Sequence, residues 1–219
     1  MKYFSRLSVT VLSLFATLVL PSHAEAGKYD LELSRLWDKN GLRRDHAQDY
    51  FEGLMTDISA TLAPKILGPA TTLGYLGFQL GVDFSLTDIA ENSLRWKTIM
   101  TDRDPGPQEG ADSLLSSFQI YVRKGLPFSA EVGGTITKLV NSNLTGIGLQ
   151  FKISPLEGFK KMPELALRGT VNTYAGSSDY SLLLATADMI ISKEIGIAGL
   201  FKFSPYVGYN LRYTYANSN

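Results

Sequence analysis

The chain of 219 residues carries 21 Lys+Arg against 21 Asp+Glu, two histidines and no cysteine. Balanced charge leaves no net field to attract nucleic acid, and the missing thiols exclude any disulfide. Glycine (20), tyrosine (11) and phenylalanine (11) are plentiful, as expected of a strand-rich chain with many turns and aromatic packing.

The first element is an export signal. Lys2 and Arg6 make a basic start, Leu7 to Leu20 ("LSVTVLSLFATLVL") an apolar run, and Pro21 leads into Ala24-Glu25-Ala26. That order predicts a secretory signal peptide over residues 1–26, cleaved after Ala26, or after Ala24 with Ser22. With no cysteine beside the cleavage site, the lipid-anchored variant is excluded. About 195 residues remain, enough for one domain with a sizeable core. No later apolar run reaches the ~18 residues of a membrane helix, so any entry into a membrane must use strands.

Residues 27–68 read as a helical segment. Tyr50, Phe51, Leu54, Met55, Ile58 and Leu62 recur at three- and four-residue steps and stop at Pro64, an amphipathic stripe. A weaker helical stretch, "DLELSRLWDKNG", ends at Asn40-Gly41. The stripe is expected to pack on the sheet or across one of its mouths, because its polar side lacks the dense basic face of a membrane-surface helix.

From Pro69 the pattern changes to period two and keeps it to the end, so residues 69–219 read as one antiparallel meander of seven strands. Leu73 to Asp88 opens it: Leu76, Phe78, Leu80, Val82, Phe84 and Leu86 alternate with Gly77, Gln79, Gly81, Asp83, Ser85 and Thr87. In "SSFQIYVRK", Phe118, Ile120 and Val122 oppose Gln119, Tyr121 and Arg123; in "PFSAEVGGTITK", Phe128, Ala130, Val132 and Ile136 oppose Ser129, Glu131, Gly133, Thr135 and Thr137. In "TGIGLQFKIS", Ile147, Leu149, Phe151 and Ile153 oppose Gly146, Gly148, Gln150 and Lys152; in "ELALRGTVNTY", Leu165, Leu167 and Val171 oppose Arg168, Thr170 and Asn172. "YSLLLATADMIIS" is apolar on both faces and shows no orientation, and "FSPYVGYNLRYTYA" sets Val207, Tyr209, Leu211, Tyr213 and Tyr215 against Gly208, Asn210, Arg212 and Thr214. Short turn signals separate most strands, whereas Ile89 to Ser113, centred on "TDRDPGPQEGADS", reads as a mobile loop.

Lipid is the expected neighbour of the greasy face. The first strand alternates for ~12 residues, longer than the ~5–6 of soluble strands and near the ~9–11 of a tilted membrane strand. The wet faces carry Asp83, Arg123, Glu131, Lys152, Arg168 and Arg212 at mid-strand, charges that can pair across a lumen as salt bridges or bias a pore toward anions. Tyr75, Tyr174, Tyr180, Tyr206, Tyr213 and Tyr215 lie near strand ends, as in an aromatic girdle.

On these features, from Leu73 to Tyr215, the chain resembles the small bacterial outer-membrane β-barrel proteins. The resemblance implies an all-β, antiparallel up-and-down transmembrane β-barrel of about eight or more strands, in the Gram-negative cell envelope. It further implies a periplasmic N-terminus, the Ile89–Ser113 loop outside and the Gly125-Leu126-Pro127 turn inside. Outer-membrane lipid, the barrel-assembly machinery and small solutes are the implied partners. Such barrels have even strand counts. An eighth strand is therefore expected from Ser93 to Met100, from a split of Tyr180 to Ser204, or, preferably, beyond a shortened C-terminus.

Chemistry is sparse. His23 leaves with the signal peptide, and His46, beside Asp45 and Asp49, reads as a solvated helix residue. Asp102, Asp104, Glu109 and Asp112 have no calcium-loop spacing, and Asn143-Leu144-Thr145 reads as a turn. No nucleophile elbow, P-loop or dinucleotide fingerprint appears, so no catalytic residue, metal or cofactor is expected. The leading expectation is a non-enzymatic outer-membrane barrel with a structural or passive, porin-like role. A soluble periplasmic barrel binding an apolar ligand, and an outer-membrane lipid-modifying enzyme, are the alternatives.

Overall fold

The computed structural model describes residues 27–31, 33–36, 46–66, 68–100, 110–159, 162–177, 179–197 and 201–218. The expected signal peptide, the Asn40-Gly41 helix stop and the acidic centre of the long loop lie outside these residues.

Alternation dominates the architecture. A seven-stranded antiparallel sheet in the order β1-β2-β3-β4-β5-β6-β9 curls into a half-barrel. Its staves are β1 (Phe78–Asp88), β2 (Leu114–Leu126), β3 (Ala130–Leu139), β4 (Thr145–Ile153), β5 (Glu164–Ala175), β6 (Tyr180–Ser192) and β9 (Tyr206–Ser218). A small hairpin, β7 (Ile195–Ile197) with β8 (Phe201–Phe203), stands apart in the β6–β9 connection. The outer strands β1 and β9 run in the same direction and, among the described residues, are not paired.

The faces are inverted relative to a water-soluble sandwich. Phe78, Val82, Phe151 and Leu211 point outward and are 49–65% exposed, while Glu131, Lys152 and Arg168 on the opposite face are 2–6% exposed. Single-residue register along every ladder preserves this: Lys152 lies opposite both Glu131 and Arg168, and Arg168 opposite Asp188.

An apolar core closes one end of the half-barrel. Helix α1 (Ala47–Leu62) presents Leu54, Met55, Ile58 and Leu62 to Leu115, Leu139, Leu144, Tyr174, Tyr180, Leu182 and Leu184 of the strand ends. The short helix α2 (Leu94–Met100) adds Trp96, Ile99 and Met100, and a 3-10 turn (Leu33–Leu36) adds Leu36. Asp57 joins the two helices, accepting from the buried Trp96 indole N–H at 2.8 Å and pairing with Arg95 at 3.0 Å. We term this end the capped mouth and the opposite end, with the β2–β3 and β4–β5 turns, the far mouth.

Several boundaries differ from the expectation. β1 begins at Phe78 and not at Leu73, because Gly74 (φ 70°) folds a turn in which the Gly77 amide bonds its carbonyl. Pro127 to Ser129 form the β2–β3 turn, with positive φ at Phe128 and Ser129, so Phe128 leaves its expected place in β3. Leu94 to Met100, offered as a strand, is helical: its aliphatic and aromatic residues meet α1 at three- and four-residue spacing. The Tyr180–Ser204 region supplies one stave and both strands of the separate hairpin, and neither candidate adds an eighth strand to the sheet. Tyr174 and Tyr180, expected in a girdle, point inward and are 2% exposed, since the capping core needs aromatic filling there.

Tight curling requires small residues opposite large inward ones. Gly81 faces Tyr121, Gly146 faces Tyr174, and Gly148 faces Asn172 across their ladders. A Cβ at Gly148 would lie 1.7 Å from the Asn172 amide oxygen, whereas one at Gly134 has no neighbour closer than 3.8 Å. Gly148→Ala is therefore expected to destabilise by ~1–3 kcal/mol through overpacking, and Gly134→Ala to be nearly neutral. Denaturant or thermal unfolding of the two variants side by side checks this.

Candidate functional site in the charged bore

The concave face is not empty. After Leu62 the chain leaves α1 and crosses the bore as a strap that returns to β1 at the far mouth. Tyr174 Oη donates to the Leu62 carbonyl (2.8 Å) and Ser117 Oγ to the Thr61 carbonyl (3.0 Å), fixing where the strap starts.

The charges expected to line the lumen surround this strap. Arg168 donates from Nε to Asp188 Oδ2 (2.7 Å), from Nη1 to the Lys65 carbonyl (2.8 Å) and from Nη2 to the Pro64 carbonyl (3.2 Å). Lys152 Nζ donates to the carbonyls of Thr71 (2.6 Å) and Pro69 (3.0 Å) and stands 3.8 Å from Glu131 Oε2. Glu131 Oε1 accepts the Leu73 amide (2.6 Å). Arg123 is buried with its guanidinium 4.5 Å from the Tyr121 ring centre, a cation–π distance. Asp83 is half-buried and accepts from Ser85 Oγ at 3.0 Å. Arg212 lies opposite Thr186 on β9 and is exposed, because that strand is an edge of the sheet. Thus Glu131, Lys152 and Arg168 bond the strap main chain, while Arg123 acts electrostatically on Lys152, and Asp83 and Arg212 on the strap's Lys65.

Further groups complete the site. Asp188 is 3% exposed and also accepts from Asn210 Nδ2. Ser192 Oγ receives the Ala70 amide (3.0 Å) and donates to Glu164 Oε2 (2.9 Å), and Glu157 takes the Thr72 amide and hydroxyl at 2.9 and 2.7 Å. Above the ion pairs, Thr135, Asn172, Thr170 and Thr186 form a chain of hydrogen bonds 2.8–3.2 Å long. The only charge-sequence signal for Asp188 was its own letter in an otherwise apolar stretch, and nothing in "APKILGPATTL" announced a strap.

At the capped mouth, Asp30 grips the β3–β4 turn through Ser142 Oγ, the Asn143 amide and Asn143 Nδ2, each at 2.7 Å. Asp112, the described member of the acidic loop, is engaged by Lys28 Nζ (2.8 Å) and Tyr29 Oη (2.6 Å). Hydrogen bonds from Lys28 first, then from Tyr29, hold its carboxyl below the usual aspartate range. Burial, then the bond to Asp112, pushes the Tyr29 phenol up to about 12. His46 stays exposed, 3.1 Å from Asp49.

Two outcomes follow for measurement. Arg168→Ala leaves Asp188 buried beside no cation and frees two strap carbonyls, so a loss of roughly 3–5 kcal/mol is expected in unfolding experiments. Restoring a neutral pair with Asp188→Asn should recover part of it. The Asp112 carboxylate, with its lowered pKa, stabilises the clamp above the unfolded value and loses that contribution as pH falls through the folded value. The Tyr29 phenol, with its raised pKa, contributes fully below its ordinary value of 10.0 and loses the effect as pH rises through about 12. Hydrogen exchange at residues 27–30 should therefore accelerate at both extremes, and in Asp112→Asn the acid limb should vanish.

Compared with protein-family models, curated proteins and solved structures, the chain matches none.

Proposed function

We propose that this chain is a non-enzymatic β-barrel component of the bacterial outer membrane, with its outward face against lipid and its bore held closed by the strap. The observation that carries this reading is the inversion of the sheet: a continuous aliphatic and aromatic exterior around a buried, ion-paired interior. In water, such an exterior would greatly exceed the ~300–600 Å² apolar patch of an ordinary monomer. Against acyl chains it costs nothing, and the inward charges remain shielded from the hydrocarbon. Staves of 9–13 residues supply the span that a tilted membrane strand needs.

Within this reading the role is structural, and passage of small solutes requires the strap to leave the concave face. The polar, charged lining also argues against a soluble barrel holding an apolar ligand, which would need greasy residues inside. The engagement of Arg168 and Lys152 by strap carbonyls makes them poor candidates for an anion filter while the strap is in place.

Membrane fractionation with a gel-mobility shift on boiling tests the proposal. The folded chain is expected in the outer-membrane fraction with a heat-dependent shift; release by osmotic shock as a soluble protein would overturn it. As an independent check, Phe151→Lys places a cation on the outward face and should cost ~2–4 kcal/mol of insertion into phospholipid vesicles if that face meets the bilayer interior. If the face meets water, the same change should be neutral or improve solubility.

A further inference from the structure

The way the strap is held says what else the bore can hold. Eight hydrogen bonds from the sheet and its turns reach the main chain of residues 64–73. Five are received by carbonyls, those of Pro64, Lys65, Ile66, Pro69 and Thr71, from Arg168, Tyr206 and Lys152. Three are donated by the amides of Ala70, Thr72 and Leu73 to Ser192, Glu157 and Glu131. A strap side chain accounts for one more, the Thr72 hydroxyl on Glu157. Every peptide unit offers the same carbonyl and amide whatever its side chain, so contacts of this kind read chain geometry more than sequence.

The pattern is also permissive of proline. Pro64 and Pro69 lack amide hydrogens, and the bore uses only their carbonyls. Two positions are restrictive: Ala70 is fully buried against Ala166 and Ile190, leaving space for a small residue alone, and Ile66 packs on the same cluster beside Gly208. The described strap residues, 64–66 and 68–73, are neither helix nor strand and bend at Gly68 and Ala70, and their contacts run from the level of Tyr174 to that of Glu131.

We propose that the bore is a binding site for an irregular, bent polypeptide segment, proline-tolerant and with a small residue at the Ala70 position, and that the strap is its occupant in cis. The tethered strap has a high effective concentration and excludes a second segment until it is dislodged. Cations that take carbonyls and carboxylates that take amides then become available to a peptide in trans. The inference does not rest on the membrane reading, since the same contacts form whatever surrounds the sheet.

The test uses the full chain in detergent micelles with Ala70→Trp, which overfills the Ala166–Ile190 niche and evicts the strap while leaving the bore side chains intact. The probe is a fluorescent synthetic peptide of residues 63–73. The variant should bind it at least tenfold more tightly than the unaltered chain, and adding Arg168→Gln should weaken that binding at least tenfold. A probe with alanine in place of Lys65 and Thr71 should bind within about threefold, whereas N-methylation of the amides at positions 70, 72 and 73 should abolish binding. A folded variant that binds no probe, or binding insensitive to Arg168→Gln, overturns the proposal. So does strong dependence on the Lys65 and Thr71 side chains. Should Ala70→Trp fail to fold, hydrogen exchange of the unaltered chain decides: strap amides lose protection with added probe if the site is shared, and unchanged protection in millimolar probe refutes exchange.

Discussion

A charge taken out of water must be met by an opposite charge or by oriented dipoles, and that constraint organises the molecule. Arg168, Lys152 and Glu131 lie on the inner face of the curled sheet at exposures of a few per cent. Arg168 meets Asp188 and two carbonyls; Lys152 meets Glu131 and two more. The strap is thus the dielectric partner of the bore as much as its filling. Without it, each of the two cations would keep its one carboxylate but lose two carbonyls, and the desolvation cost would fall on the sheet.

The two halves of the bore solve burial differently. Toward the capped mouth the inward residues are Leu115, Leu139, Leu182 and Leu184, and they meet the apolar stripe of α1. Toward the far mouth they are Lys152, Glu131, Arg168 and Ser192, and they meet peptide groups. One strand, β6, passes through both regimes, with Leu182 and Leu184 above and Thr186, Asp188 and Ser192 below. The helix can be apolar because its own backbone is internally bonded, whereas the strap cannot, because its carbonyls and amides have no partners of their own.

That division explains what was readable in the linear chain. Period-two alternation exposed the seven staves and the inward parity of Arg123, Glu131, Lys152 and Arg168, because the flanking residues of each are apolar or glycine, Lys124 beside Arg123 excepted. β6 was illegible in orientation since its upper inward residues answer a helix, and Asp188 was lost with it. The strap was invisible for a different reason. Its residues obey no period, and its stabilising contacts lie on main-chain atoms that every residue possesses. The ends of β1 and β3 slipped because positive φ at Gly74, Phe128 and Ser129 is a property of turn geometry that an alternating letter pattern overruns.

The six antiparallel pairings return β9 to the heading of β1. Rolling the wall until its two rims touched would therefore join them head beside head, with the slanted bonds of a parallel ladder against six perpendicular ones. A second copy standing the same way up would meet the same mismatch, since rotation about the axis of the half-barrel leaves headings unchanged. Both rims are satisfied together only by an odd number of intervening strands, the outermost ones travelling the opposite way. Arithmetic of direction, more than chemistry, decides what can seal this wall.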